Sequence, residues 1–168
     1  MSDRHSKSIS YKGFTFRLGD EDWKYRTSKV LSYYDVPSLQ WKPEEAQRMT
    51  AHFRGGLLTL FGPPQHSSSL SDEAIHYCIE AVDPSGKVWP LTAYEGPSGS
   101  AIGAELFHRS QATPIAELLR ELIQETRPSD FHATVYDEDT DNTVEYGIEN
   151  GEYFYQEQRG NQLRNDQS

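Results

Sequence analysis

The chain has 168 residues, with 16 lysines and arginines against 26 aspartates and glutamates; the formal net charge of −10 argues against nucleic acid as a partner, since each phosphate contact needs a cation. That length fits one domain, 1–168, with a core that needs no metal, and ten Tyr, seven Phe and three Trp supply apolar area that a disordered chain lacks. The lone Cys78 excludes an intramolecular disulfide, the N-terminus lacks an apolar signal region, which points to the cytoplasm, and no apolar run is long enough for a membrane span.

Residues 1–7 and 159–168 are polar ends expected to be disordered. Ile9, Tyr11, Phe14 and Phe16 flank Lys12-Gly13 as a strand or tight hairpin does. From Glu21 to Gln40 aromatic and polar residues mix without a clean period, and a strand over Lys24 to Val30 followed by a loop through Asp35-Val36-Pro37-Ser38 is the expectation. Pro43 with Glu44 and Glu45 opens a helix, in which Ala46, Met49, Phe53 and Leu57 recur at helical spacing to bury one face. Gly55-Gly56 interrupts that pattern; the helix either continues to Phe61 with Gly62 as its stop, or breaks into a short strand over 57–61.

Ile75, Tyr77, Ile79 and Ala81 alternate with His76, Cys78 and Glu80, and a turn at Asp83-Pro84-Ser85-Gly86 leads to a return strand over 87–95, so 74–95 reads as a β-hairpin. Pro90 in the second arm calls for an edge or a bulge. Thr113-Pro114 caps a second helix with the apolar stripe Ile115, Leu118, Leu119, Leu122 and Ile123, ended by Arg127-Pro128. Three short strands follow, 131–136, 143–148 and 152–156, the last two joined by an Asn150-Gly151 turn. The expected fold is α+β: a mostly antiparallel sheet of about five strands with the two amphipathic helices packed on one face.

No motif carries chemistry. The glycine-rich stretch Gly96, Pro97, Ser98, Gly99 through Gly103 lacks the last glycine of a nucleophile elbow, since Ser stands at position 100, and lacks the Lys-Ser/Thr ending of a P-loop. It reads as a structural turn. Asp137-x-Asp139-x-Asp141 fails as a calcium loop at its sixth and twelfth positions, Asn142 and Ile148. His76 and His132 sit in predicted strands that meet if they pair, but no two histidines stand at a zinc-ligand spacing. No catalytic residue, metal site or cofactor is expected. What remains is an acidic, aromatic surface, and Asp137, Glu138, Asp139, Asp141, Glu145, Tyr146 and Tyr153 are the candidate partner-binding residues.

The segment Leu57-Thr59-Leu60-Phe61-Gly62-Pro63, the hairpin from Tyr77 to Tyr94 and Glu95-Gly96-Pro97-Ser98-Gly99-Ser100-Ala101-Ile102-Gly103 resemble small bacterial immunity proteins encoded beside polymorphic or contact-dependent toxins. The resemblance covers about the middle third of the chain and assigns a role to no residue. It implies a non-enzymatic inhibitor that binds a toxin domain, here a basic one, and occludes its active site. The alternative is a small-molecule-binding or hydrolytic enzyme built around the loop from Gly96 to Gly103.

Overall fold

A computed structural model describes residues 8–19, 27–35, 44–64, 66–67, 75–96, 99–105, 109–137 and 141–158. The two polar ends lie outside these residues. Ten strands and two helices follow in the order β1 (Ser8–Tyr11), β2 (Phe14–Leu18), β3 (Thr27–Asp35), α1 (Glu44–Phe61), β4 (His66–Ser67), β5 (Ile75–Val82), β6 (Val88–Gly96), β7 (Gly99–Glu105), α2 (Arg109–Glu125), β8 (Phe131–Asp137), β9 (Asn142–Glu149) and β10 (Glu152–Gln158). The class is α+β. The strands divide between two antiparallel sheets rather than forming one: a larger sheet in the order β1-β2-β5-β6-β7-β3, with β4 beside β5, and a three-stranded sheet β10-β9-β8.

The β5–β6 hairpin is the centre of the larger sheet. Its period-two alternation puts Ile75, Tyr77, Ile79 and Ala81 on one face, opposite Leu91 and Ala93 of β6, and all six are buried. Asp83 holds the turn, its Oδ1 accepting from the backbone N–H of Ser85 and of Lys87, both at 2.9 Å, and its Oδ2 accepting from Trp89 Nε1 at 3.1 Å. Those donors, the Ser85 hydroxyl first, lower the Asp83 carboxyl to about 2. Pro90 stands in an interior strand, yet pairing of β6 with β7 begins only at Leu91, so the proline's missing N–H falls where β6 has a single neighbour.

Both helices bury their apolar stripes on this face. Phe53, Leu57, Leu60 and Phe61 of α1 join Ile115, Leu119, Leu122 and Ile123 of α2 in one cluster with the β5, β6 and β7 side chains. Leu118 packs at its margin, partly buried, while Met49 is exposed, so the stripe of α1 begins later than its spacing predicts. The helix runs unbroken through Gly55-Gly56 to Phe61, and Gly62 ends it at φ +80°. The glycines permit close approach. A Cβ on Gly56 would lie 3.0 Å from Ile123 Cγ2 of α2, and one on Gly55 would lie 2.7 Å from Pro128 Cβ and 2.9 Å from the Ser129 carbonyl oxygen.

Two element boundaries depart from the sequence expectation. Helix α2 starts at Arg109, so Pro114 is inside it rather than at its cap; a proline this near the start forfeits only the bond to the carbonyl of Ser110. Strand β3 spans Thr27–Asp35 instead of Lys24 to Val30, and its pairing with β7 shifts register between Lys29 and Leu31 and again between Ser32 and Tyr34. Each such irregularity disrupts the inward–outward phase, which is why this segment shows no clean period.

The small sheet packs on α1 through a second cluster of Ala133, Val144 and Tyr146, with Phe131 and Tyr155 at its margin. Its β9–β10 turn is Asn150-Gly151, with φ +54° and +81°, as the two-residue hairpin requires. The Asp130 carboxylate accepts from both turn N–H groups, at 2.8 and 3.1 Å. Gly147 in β9 has no room for a side chain, because a Cβ there would stand 2.0 Å from the Phe131 carbonyl oxygen. The rings of His132 and Phe154 close edge-to-face over that position with centroids 5.4 Å apart.

Candidate functional site

Glu95 occupies a core-phase position of β6, two residues beyond Ala93, and a carboxylate there must find partners as it leaves water. Arg54 of α1 supplies the charge: Nη1 donates to Glu95 Oε2 at 3.0 Å, with side-chain exposures of 6% and 1%. Tyr146 of β9 donates its hydroxyl to Glu95 at 3.0 Å. The Arg54 guanidinium also lies over the Phe131 ring, 5.1 Å from its centroid. Burial first, and then the Glu95 charge, raise the Tyr146 hydroxyl well above its ordinary range, so it stays a donor. One buried network thereby ties α1 and the two sheets together. Opposite Glu95 in the β6–β7 register stands Ser100, buried, whose Oγ has no hydrogen-bond partner.

The glycine stretch is the turn of this β6–β7 hairpin. Gly96 pairs with Gly99, leaving Pro97 and Ser98, which lie outside the described residues, as a two-residue connection. Gly103 is buried in β7 between Thr92 and Lys29 in register. The turn therefore ends beside the Arg54–Glu95 pair.

The seven candidate partner-binding residues separate. Tyr146 is 5% exposed and belongs to the buried network, which removes it from any partner-facing surface. The cause is phase: Val144, Tyr146 and Ile148 share the inner side of β9, while Glu145, Gly147 and Glu149 take the outer side. Tyr153 is half-buried on the inner side, 5.7 Å from the Arg48 guanidinium that lies over its ring. Asp137 pairs with Asn142 where β8 meets β9, Asp141 sits in the turn at φ +60°, and Glu138 and Asp139 lie outside the described residues. Only Glu145 is placed on the outer face with its side chain described.

That outer face carries more than the linear sequence indicated. Register aligns His132, Gly147 and Phe154 in one row and Thr134, Glu145 and Gln156 in the next, and it sets Glu149 directly opposite Glu152 at the turn. His132 Nε2 lies 3.6 Å from Glu145 Oε2. A cleft of about 470 Å³ runs along these side chains to Asp130 and Glu149. His76 and His132 lie in different sheets and do not meet. Among the described residues no group of three or more His, Cys, Asp or Glu side chains is placed to hold a metal ion, and no helix is long and apolar enough to cross a membrane.

The residues missed from the sequence were Arg54, Glu95 and the outer row of the small sheet. A signal existed for the first two: Thr50, Arg54 and Leu57 follow helical spacing on the buried side of α1, and Glu95 continues the apolar phase of Leu91 and Ala93. Comparison with protein-family models, curated proteins and solved structures finds no match.

Proposed function

We propose that this chain is a non-enzymatic binding protein that docks a basic partner on the outer face of its small sheet, as an immunity protein that occludes the active site of a cognate toxin. The observation that carries this reading is the outer face itself, where Glu145, Glu149 and Glu152 surround the half-buried ring of Phe154. An anionic rim steers a cationic partner and an aromatic centre contributes contact area. A nuclease-type active site, cationic because it must hold phosphate, has the complementary chemistry. The most acidic and basic groups near the glycine turn, Glu95 and Arg54, are spent on each other inside the fold. The cytoplasm, where thiols stay reduced, suits a chain whose one cysteine is buried and free.

The test is protection. Co-expression with a toxic protein encoded beside this chain should rescue growth, and Glu149→Lys with Glu152→Lys should rescue less well while the thermal midpoint is kept. Association should slow as salt rises, and less steeply for the double variant. If no toxic gene lies beside this one, or if the chain gives no protection against it, the reading is dropped. The second reading, a small-molecule-binding or hydrolytic enzyme at the loop from Gly96 to Gly103, draws on the unpartnered buried hydroxyl of Ser100 at that hairpin. It takes precedence only if Ser98→Ala leaves stability intact and removes a measurable hydrolase activity.

A further inference from the structure

We infer that the cleft on the outer face of the small sheet is an anchor pocket for a single arginine side chain of the partner. The inference rests on the binding role above and names the group that role would recognise. Its volume, about 470 Å³, falls in the range of small-ligand sites, and its walls combine two kinds of surface. Phe154 and His132, crossed edge-to-face above Gly147, give a flat aromatic wall, and Gly147 must stay bare for the two rings to meet there. Asp130, Glu145 and Glu149 give three carboxylates, with no lysine or arginine among the described residues that line it.

A second observation, independent of composition, points to a cationic guest. Glu149 and Glu152 are held directly opposite each other across the Asn150-Gly151 turn, and Asp130 is drawn to the same turn by its two N–H groups. Like charges placed opposite in a hairpin cost stability, so this end of the sheet concentrates negative potential that the fold itself does not require. A bound cation relieves that repulsion. Arginine suits the pocket better than lysine because its planar guanidinium stacks on an aromatic face while its fork of N–H donors meets a carboxylate.

The experiment is a titration of the isotope-labelled full chain, followed by NMR, with N-acetyl-arginine amide, N-acetyl-lysine amide and N-acetyl-citrulline amide. Citrulline keeps the shape and removes the charge. Saturable shifts are expected at His132, Glu145, Phe154 and Gln156 with the arginine probe, about tenfold weaker binding with citrulline, and a similar loss for Glu145→Gln, as one charge-assisted hydrogen bond implies. Equal shifts with citrulline, or shifts spread evenly over the acidic surface, overturn the pocket. Lysine binding as tightly as arginine overturns the choice of guest. The two readings fail separately: if Glu145→Gln still protects as well as the parent chain, the pocket falls and the binding role stands. If the chain protects against nothing, the binding role falls, whatever the titration shows.

Discussion

The two sheets of this protein are held to the helices by different physics. Across the larger sheet the contact is apolar and continuous, with Tyr77, Ile79, Leu91, Ile102, Leu119 and Ile123 all fully or almost fully buried in one cluster. The small sheet is joined through one buried ion pair with its tyrosine, a bare glycine and a few short hydrogen bonds, including Ser129 N–H to the Gly55 carbonyl at 3.0 Å and Thr59 Oγ1 to the Arg127 carbonyl at 2.8 Å. Apolar contact is non-directional and tolerates change, whereas a polar junction depends on every member keeping its partner. The junction should therefore be the more brittle of the two.

The largest effect is expected at the ion pair. Arg54→Met leaves the Glu95 carboxylate buried without its cation and should cost about 3 to 5 kcal/mol in urea unfolding, while Arg54→Met with Glu95→Leu should recover much of that loss. If the double variant is no more stable than the single one, the pair is not the element that holds the junction. For the apolar side, Leu119→Ala should cost about 2 to 5 kcal/mol by loss of transfer energy and a residual cavity. An unchanged urea midpoint would show α2 to be wrongly placed.

A smaller loss is expected where α1 meets the segment between α2 and β8. Gly55→Ala puts a methyl 2.7 Å from Pro128 Cβ and 2.9 Å from the Ser129 carbonyl oxygen, an overpacking worth about 1 to 3 kcal/mol. Hydrogen exchange should show it loosening β8–β10 more than β5–β6; uniform loosening would mean the sheets do not respond as separate units. The mildest effect concerns acid. Asp83 titrates at about 2 when folded, below the ordinary value of 3.8, so it contributes stability above that ordinary value that is lost as pH falls from there through about 2. Asp83→Asn should flatten the pH dependence of the thermal midpoint in that window, and the Trp89 indole N–H resonance should move in the parent chain alone.

Much of the fold was legible in the chain. The β5–β6 alternation, the stripe of α2 and the Lys12-Gly13 and Asn150-Gly151 turns are local signals, each contained within a few residues, and α1 ends at Gly62 as its proline-flanked glycine required. What failed locally failed for local reasons too: two register shifts hide the period of β3, and Pro114 near a helix start reads as a cap.

The candidate site was less legible. Sequence alone determined that the chain is acidic and aromatic, that the last strands form hairpins and that charge gathers around them. It could not say which side of those strands meets the core. Tyr146 and Glu145 are neighbours in the chain with equal claims to a surface role, yet strand phase sends one to the buried Glu95 and the other to the outer cleft. Only tertiary structure decides this, because the partners that choose the phase, Arg54 on a helix and Glu95 in another sheet, are brought to Tyr146 from 92 and 51 residues away.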